Sequence, residues 1–197
     1  MTYDLVNDVE RVLFSEEEIE KRVAELGKEI SEYYKDKNLL LVSVLKGSVV
    51  FMADLMRHIT VPCSIDFMAV SSYKDGTVST GNVQIRKDLD IDLKGYDLLV
   101  VEDIFDSGKT LQHLTDVLML RNPNSIRLCT LLDKPDRRDP NVTIKADYIG
   151  MQVPDLFVIG YGLDYAQKYR NLPYIGIIKP EIPAMLEEEK KRSENKD

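Results

Sequence analysis

Three largely apolar runs constrain this chain more than any other feature: Leu39 to Leu45, broken only by Ser43, then Leu98 to Val101, then Ile126 to Leu132, interrupted by Arg127 and Thr130. They are too short for buried helices. A short run that is apolar on both faces marks a strand covered on both sides, as in a parallel sheet sandwiched between helices. Helical patterns lie between these runs. Ser15-Glu16-Glu17-Glu18 has the spacing of a capping box, and Ile19, Val23, Leu26 and Ile30 then recur at helical intervals until Asn38 closes the segment. Val49, Phe51, Met52, Leu55 and Met56 predict a second helix. Leu111, Leu114, Val117 and Leu118 predict a third, ended by Asn122-Pro123-Asn124.

Shorter strands are expected at Ile65 to Val70, Val83 to Ile85, Asp147 to Met151 and Phe157 to Gly160. Residues 71–82 are polar and rich in Gly, Ser and Thr, which predicts a mobile loop. Pro173, Pro180 and Pro183 punctuate an irregular C-terminal region, and Glu187 to Asp197 is expected to fray. Strands alternating with helices give an α/β fold with a mostly parallel, doubly wound sheet. Ligands bind such sheets beyond the carboxyl ends of the strands, at the topological switch point. Lys46-Gly47-Ser48 and the segment from Glu102 to Thr110 stand at such ends.

The chain has 197 residues, enough for one domain with a full core and no need of disulfides or structural metal. Lys and Arg number 26 against 34 Asp and Glu, a net charge of -8. That speaks against a nucleic-acid partner, which needs clustered positive charge. It also sits awkwardly with any anionic ligand. Cys63 and Cys129 lie in apolar surroundings with no metal-ligand spacing, so two buried, reduced thiols are expected. No signal-peptide pattern and no run of roughly 18 apolar residues is present, which points to the cytoplasm.

The segment Leu98-Leu99-Val100-Val101-Glu102-Asp103-Ile104-Phe105-Asp106-Ser107-Gly108-Lys109-Thr110 carries the chemistry. It is a buried strand ending in two adjacent carboxylates, then a third, then a small-residue turn that opens a helix. The turn offers the hydroxyls of Ser107 and Thr110 and the N–H groups of a helix N-terminus, a ready phosphate cradle. Gly108 lets the backbone approach the anion. The carboxylates suit sugar hydroxyls or a metal-coordinated group. Ser-Gly-Lys-Thr resembles half of a Walker A loop, but that motif needs Gly where Asp103 stands. Asp106 or Ser107 capping the helix explains part of the pattern. It does not explain Glu102 beside Asp103, which repel each other and add nothing to a core.

These thirteen residues resemble the phosphoribosyl-pyrophosphate (PRPP) motif of type I phosphoribosyltransferases. More of the chain, roughly residues 8–180, resembles the hypoxanthine-guanine branch. Leu45-Lys46-Gly47-Ser48 is similar to its pyrophosphate loop. Ser72-Tyr73 with Ser79-Thr80-Gly81 is similar to its mobile catalytic loop. Leu132-Asp133-Lys134, the stretch from Pro154 to Tyr165, and Arg170-Asn171-Leu172-Pro173 match its base-binding strand and hood.

The resemblance implies one phosphoribosyltransferase domain, with a hood from about 1–15 and 152–185. The reaction it implies is displacement of pyrophosphate from PRPP by a purine nitrogen. Asp106, Ser107, Gly108, Lys109 and Thr110 would hold the 5-phosphate. Glu102 and Asp103 would hold the ribose hydroxyls and stabilise positive character at C1. Asp106 would lie near the purine N7 as general base. Lys46 and Gly47, after a cis peptide, and Arg170 would bind pyrophosphate. Asp164, with Glu102 and Asp103, would serve Mg²⁺. Lys134 would donate to the 6-oxo group, Phe157 would stack on the ring, and backbone atoms of Val158 and Asp164 would read its edge. Ser72 and Tyr73 would close over the site. The family suggests a homodimer or homotetramer. A nucleotide-sensing regulator of the same fold and a xanthine-preferring enzyme stay as alternatives. His58 and His113 are read as structural, and Asp136-Arg137-Arg138-Asp139 as a solvated turn.

Overall fold

The computed structural model describes residues 5, 7–72 and 83–182. Its elements run β1 (Val9–Phe14), α1 (Glu16–Tyr33), β2 (Leu39–Leu45), α2 (Val49–His58), β3 (Cys63–Ser72), β4 (Val83–Lys87), β5 (Asp97–Phe105), α3 (Lys109–Met119), β6 (Ser125–Asp133), a 3₁₀ turn (Pro135–Arg137), β7 (Tyr148–Gln152), β8 (Val158–Ile159) and β9 (Ile175–Ile178). The capping box forms as its sequence requires. The Ser15 N–H donates to Glu18 Oε2 at 2.8 Å, and the Glu18 N–H donates to Ser15 Oγ at 3.2 Å. α1 stops at Tyr33, short of Asn38. Lys35-Asp36-Lys37 has no apolar side chain to bury, and Asp36 turns the chain at φ 65.

The chain forms two compact units, a larger one (Glu20–Asp155) and a smaller one from the described residues up to Ile19 and from Leu156 onward. The larger holds a six-stranded sheet in the order β4-β3-β2-β5-β6-β7. Every neighbouring pair is parallel except β3 with β4. The apolar runs are its central strands, buried on both faces. Side chains alternate across a strand. Leu40, Val42, Val44, Leu98 and Val100 therefore share one cluster with Leu111, Leu114 and Leu118 of α3. The chain winds outward from β2 to β3 and, in the other direction, from β5 to β6. The switch point is therefore between β2 and β5.

The smaller unit holds an antiparallel sheet, β1-β9-β8, over a cluster of Ile159, Tyr169, Leu172 and Ile178. β1 and β9 correct the sequence reading, which had no strand before the first helix and none in the C-terminal region. β1 pairs with β9 through two register shifts, which break the period-two pattern, and β9 is only four residues long. Cys63 is a second correction. It is exposed at the start of β3, where the strand leaves the loop after α2, whereas Cys129 is buried in β6. Most of the expected mobile loop, including Tyr73 and Ser79-Thr80-Gly81, and the charged tail lie outside the described residues.

Candidate active site

The carboxyl ends of β2 and β5 carry the two segments singled out above. β5 continues through Phe105, so Glu102 and Asp103 belong to the strand itself. The Ile104 N–H donates to Asp103 Oδ1 at 2.8 Å. The other Asp103 oxygen occupies the place a Cβ on Gly47 would take. Glycine at 47 is therefore what lets the loop after β2 lie against the acidic end of β5. The Leu45–Lys46 peptide is cis, as the resemblance implied, and Lys46 is exposed. Ser48 is buried, and its hydroxyl turns back to β2 instead of capping α2. It bonds Ser43 Oγ at 2.7 Å and donates to the Val44 carbonyl.

Glu102 Oε2 is shielded from solvent and has no hydrogen-bond partner. Burial first, and the charge of Asp103 second, push the Glu102 carboxyl well above the ordinary carboxylate range. Such a pair is relieved by hydrogen-bond donors or by a cation.

Asp106-Ser107-Gly108 leads into α3. Gly108 sits at φ 81, where a side chain is strained, and a Cβ there would meet the Phe105 ring at 2.7 Å and Val142 at 2.9 Å. No side chain caps the first N–H groups of α3. Lys109 pairs with Asp139 at 2.7 Å, and the Asp139 N–H donates to the Ser107 carbonyl at 3.0 Å. Thr110 is exposed.

The run from Asp136 to Asp139 is not the solvated turn expected. Arg137 Nε lies 2.8 Å from Asp106 Oδ1. The same oxygen lacks hydrogen-bond geometry to any donor, so this contact is a charge pair rather than a directed bond. Arg137 Nη1 donates to Asp155 Oδ1 at 3.0 Å. Arg138 Nη1 donates to the Asp106 carbonyl at 2.7 Å, its guanidinium also pairs with Asp133, and it covers the Phe105 ring at 3.1 Å. No local signal in the sequence marked these contacts. Parallel pairing sets Phe105 opposite Asp133, so arginines just past Asp133 fall beside the turn just past Phe105.

Lys134 is 7% exposed, and its N–H donates to the Phe105 carbonyl at 3.0 Å. Burial lowers its ammonium, against the opposing pull of Asp106 and Asp155. The larger unit thus brings together Lys46, Gly47, Glu102, Asp103, Asp106, Ser107, Gly108, Lys109 and Thr110 at the switch point, with Lys134 and the two arginines beside the turn. Ser72 ends β3.

In the smaller unit Phe157 is 53% exposed, not a core aromatic, and Tyr165 meets its ring edge-on at 5.3 Å. No spacing pattern had marked Tyr165. Val158 is buried in β8. Asp164 Oδ1 pairs with Arg170 Nη2 at 2.7 Å, and the Gln167 N–H donates to Asp164 Oδ2 at 2.8 Å. Arg170 Nη1 donates to the Gly162 carbonyl at 2.7 Å. The loop from Gly160 to Tyr169 takes positive φ at Gly160, Tyr161, Gly162, Ala166, Gln167 and Tyr169. Among the described residues no three metal-ligating side chains converge.

The chain matches the phosphoribosyl transferase domain family over residues 13–166. The hypoxanthine-guanine phosphoribosyltransferase of Bacillus subtilis is 54% identical over 176 residues, 89% of this chain and 97% of that protein. The bifunctional protein TilS/HprT of Listeria innocua is equally 54% identical over 176 residues, but the chain spans only 27% of its length. A crystal structure of a hypoxanthine phosphoribosyltransferase from Staphylococcus aureus is 49% identical and covers 92% of this chain and 98% of its own, with a TM-score of 0.87.

Proposed function

The chain belongs to the phosphoribosyltransferase family, and from that membership and the site geometry we propose that it transfers the phosphoribosyl group of PRPP to hypoxanthine or guanine, giving IMP or GMP and pyrophosphate. The observation that carries this reading is the seating of Asp103 against Gly47. It puts the loop assigned to pyrophosphate and the acids assigned to ribose at one switch point.

The reaction breaks the C1–O bond, and the electron pair leaves with pyrophosphate. A purine nitrogen supplies the pair that forms the C1–N bond, and the proton the purine loses passes to Asp106. Ser107, Gly108, Lys109 and Thr110 hold the 5-phosphate through hydroxyls and the N–H groups at the start of α3. Glu102 and Asp103 bind the ribose hydroxyls, and the charge of Asp103, joined by that of Glu102 once donors or a cation relieve the pair, favours the cationic character at C1 more than the ground state. Lys134 donates to the 6-oxo group, which adenine lacks. Phe157 gives the purine a stacking face, while backbone atoms of Val158 and Asp164 read its edge. Lys46, Gly47 and Arg170 bind pyrophosphate. Ser72, at the end of β3, and Tyr73, outside the described residues, are assigned to closing the site against water.

The donor set fits Mg²⁺. Glu102 Oε2 has no hydrogen-bond partner and lies beside the Asp103 carboxylate, and the family resemblance assigns Asp164 of the smaller unit to the same ion. Mg²⁺ commonly takes only one or two protein carboxylates with phosphate oxygens. When bound it supplies neutralisation of the leaving group's charge. The same reading makes the smaller unit the hood of a single working domain and puts the protein in the cytoplasm as a homodimer or homotetramer. No helix among the described residues is long and apolar enough to cross a membrane.

The test is product formation from PRPP, Mg²⁺ and each of hypoxanthine, guanine, xanthine and adenine. IMP and GMP are expected. Absence of both sinks the proposal, and a preference for xanthine reassigns the base. Asp164→Ala is expected to weaken pyrophosphate and Mg²⁺ binding by at least about tenfold, with a smaller effect on IMP binding. Equal losses for pyrophosphate and IMP count against a metal role.

A further inference from the structure

Arg137 and Arg138 are consecutive, yet both reach Asp106. The 3₁₀ turn that carries them starts at Pro135 and is closed by the Arg137 N–H donating to the Lys134 carbonyl at 3.2 Å and the Arg138 N–H to the Pro135 carbonyl at 3.1 Å. Consecutive side chains on so tight a turn point in different directions. One takes the carboxylate of Asp106 and the other its backbone carbonyl.

We infer that Arg137 is a positioning residue for Asp106: it covers and pairs one carboxylate oxygen, Oδ1, and thereby leaves the other as the oxygen presented to substrate. The inference rests on the proposed role of Asp106 as proton acceptor. The side chain of Asp106 is 40% exposed, yet Oδ1 is shut off from solvent. Its exposure therefore lies on the remaining atoms. A free carboxylate rotates about χ2 in a broad, two-fold profile and offers either oxygen. A guanidinium 2.8 Å from Oδ1 breaks that symmetry. Because the contact is a charge pair and not an aligned hydrogen bond, it biases the rotation without claiming the other oxygen.

Arg137 is itself held in place. Its Nη1 bonds Asp155, whose side chain is 56% exposed. A half-exposed arginine between two exposed acids adds little to stability, so packing does not account for it. Arg138 is different. It is tied to Asp133 and to Phe105, and removing it disturbs the fold of the turn.

The test uses steady-state kinetics on the full chain with saturating hypoxanthine and varied PRPP. Arg137→Ala is expected to lower kcat about ten- to a hundredfold, as misplacement of a reacting group does. KM for PRPP should stay within about twofold of wild type, with an unchanged melting temperature. Arg137→Lys should restore part of the loss, since an ammonium pairs with Asp106 but does not bridge to Asp155. Asp155→Ala should give a smaller loss, and the double variant should be no worse than Arg137→Ala alone, as for two residues acting in one unit. Unchanged kcat, a loss confined to KM, or losses that multiply in the double variant each overturn the inference while leaving the proposed function standing. A wild-type chain that forms neither IMP nor GMP removes the function, and this inference with it.

Discussion

Asp106→Asn is expected to lower turnover by about 10²- to 10⁴-fold, the usual worth of a positioned proton acceptor. Asparagine keeps the size of the side chain and a carbonyl oxygen that accepts a hydrogen bond. It cannot take the purine proton. The surroundings should keep their fold, although the charge pair with Arg137 is lost with the carboxylate. Arg138 grips the backbone carbonyl of residue 106, which the change leaves alone, and Arg137 retains its bond to Asp155. The half-exposed side chain carries little packing. The measurement is kcat at saturating PRPP with a melting curve beside it. Turnover near wild type shows that accepting a hydrogen bond suffices and that the proton leaves by another route.

The PRPP-like segment was legible because everything in it is local. A buried strand announces itself by four apolar residues, adjacent acids are anomalous wherever they follow such a strand, and Gly108 marks the turn it makes at φ 81. The central strands and the three helices were legible for the same reason. What escaped the sequence was non-local. Arg137 and Arg138 lie some thirty residues from Asp106 along the chain and reach it only because β6 pairs with β5 in one register. Charge runs usually solvate a turn, and only that register made these two arginines part of the site. β1 was hidden by its register shifts. The loop from Tyr161 to Tyr169 takes positive φ at tyrosine, alanine and glutamine, residue types with no preference for it, so local propensity had nothing to report.

The net charge of -8 remains against a polyanion lying across the surface. At the site the balance is finer than that figure. Lys109 is paired with Asp139, Arg137 with Asp106 and Asp155, and Arg138 with Asp133. These cations are already matched by carboxylates. A substrate carrying phosphate and pyrophosphate must then either displace those acids or rely on Lys46, backbone N–H groups and a divalent cation. The second route costs less, because the turn at Gly108 and the uncapped start of α3 are already in place. The excess of acid is thus no obstacle to the proposed substrate when a divalent cation is bound with it.

Gly47→Ala is expected to lower turnover by about 10²-fold, the loss that a misplacement on the order of 1 Å produces. The new methyl group would occupy the position of an Asp103 carboxylate oxygen. Either the carboxylate rotates away or the loop after β2 retreats. The first breaks the orientation set by the Ile104 N–H on Oδ1, and with it the hold on ribose. The second moves Lys46, whose loop is anchored to β2 through Ser48 and Ser43 and has little freedom to follow. The first outcome costs less, because what yields is the end of a side chain rather than backbone. The variant should therefore fold and melt close to wild type while losing both PRPP affinity and turnover. An active Gly47→Ala enzyme is the result that breaks the assignment, since it means that the close approach of the loop to Asp103 has no part in catalysis. A variant that fails to fold is separated from a catalytic loss by Asp103→Ala in the Gly47→Ala background. That second change removes the obstructing carboxylate and should restore the fold without restoring activity.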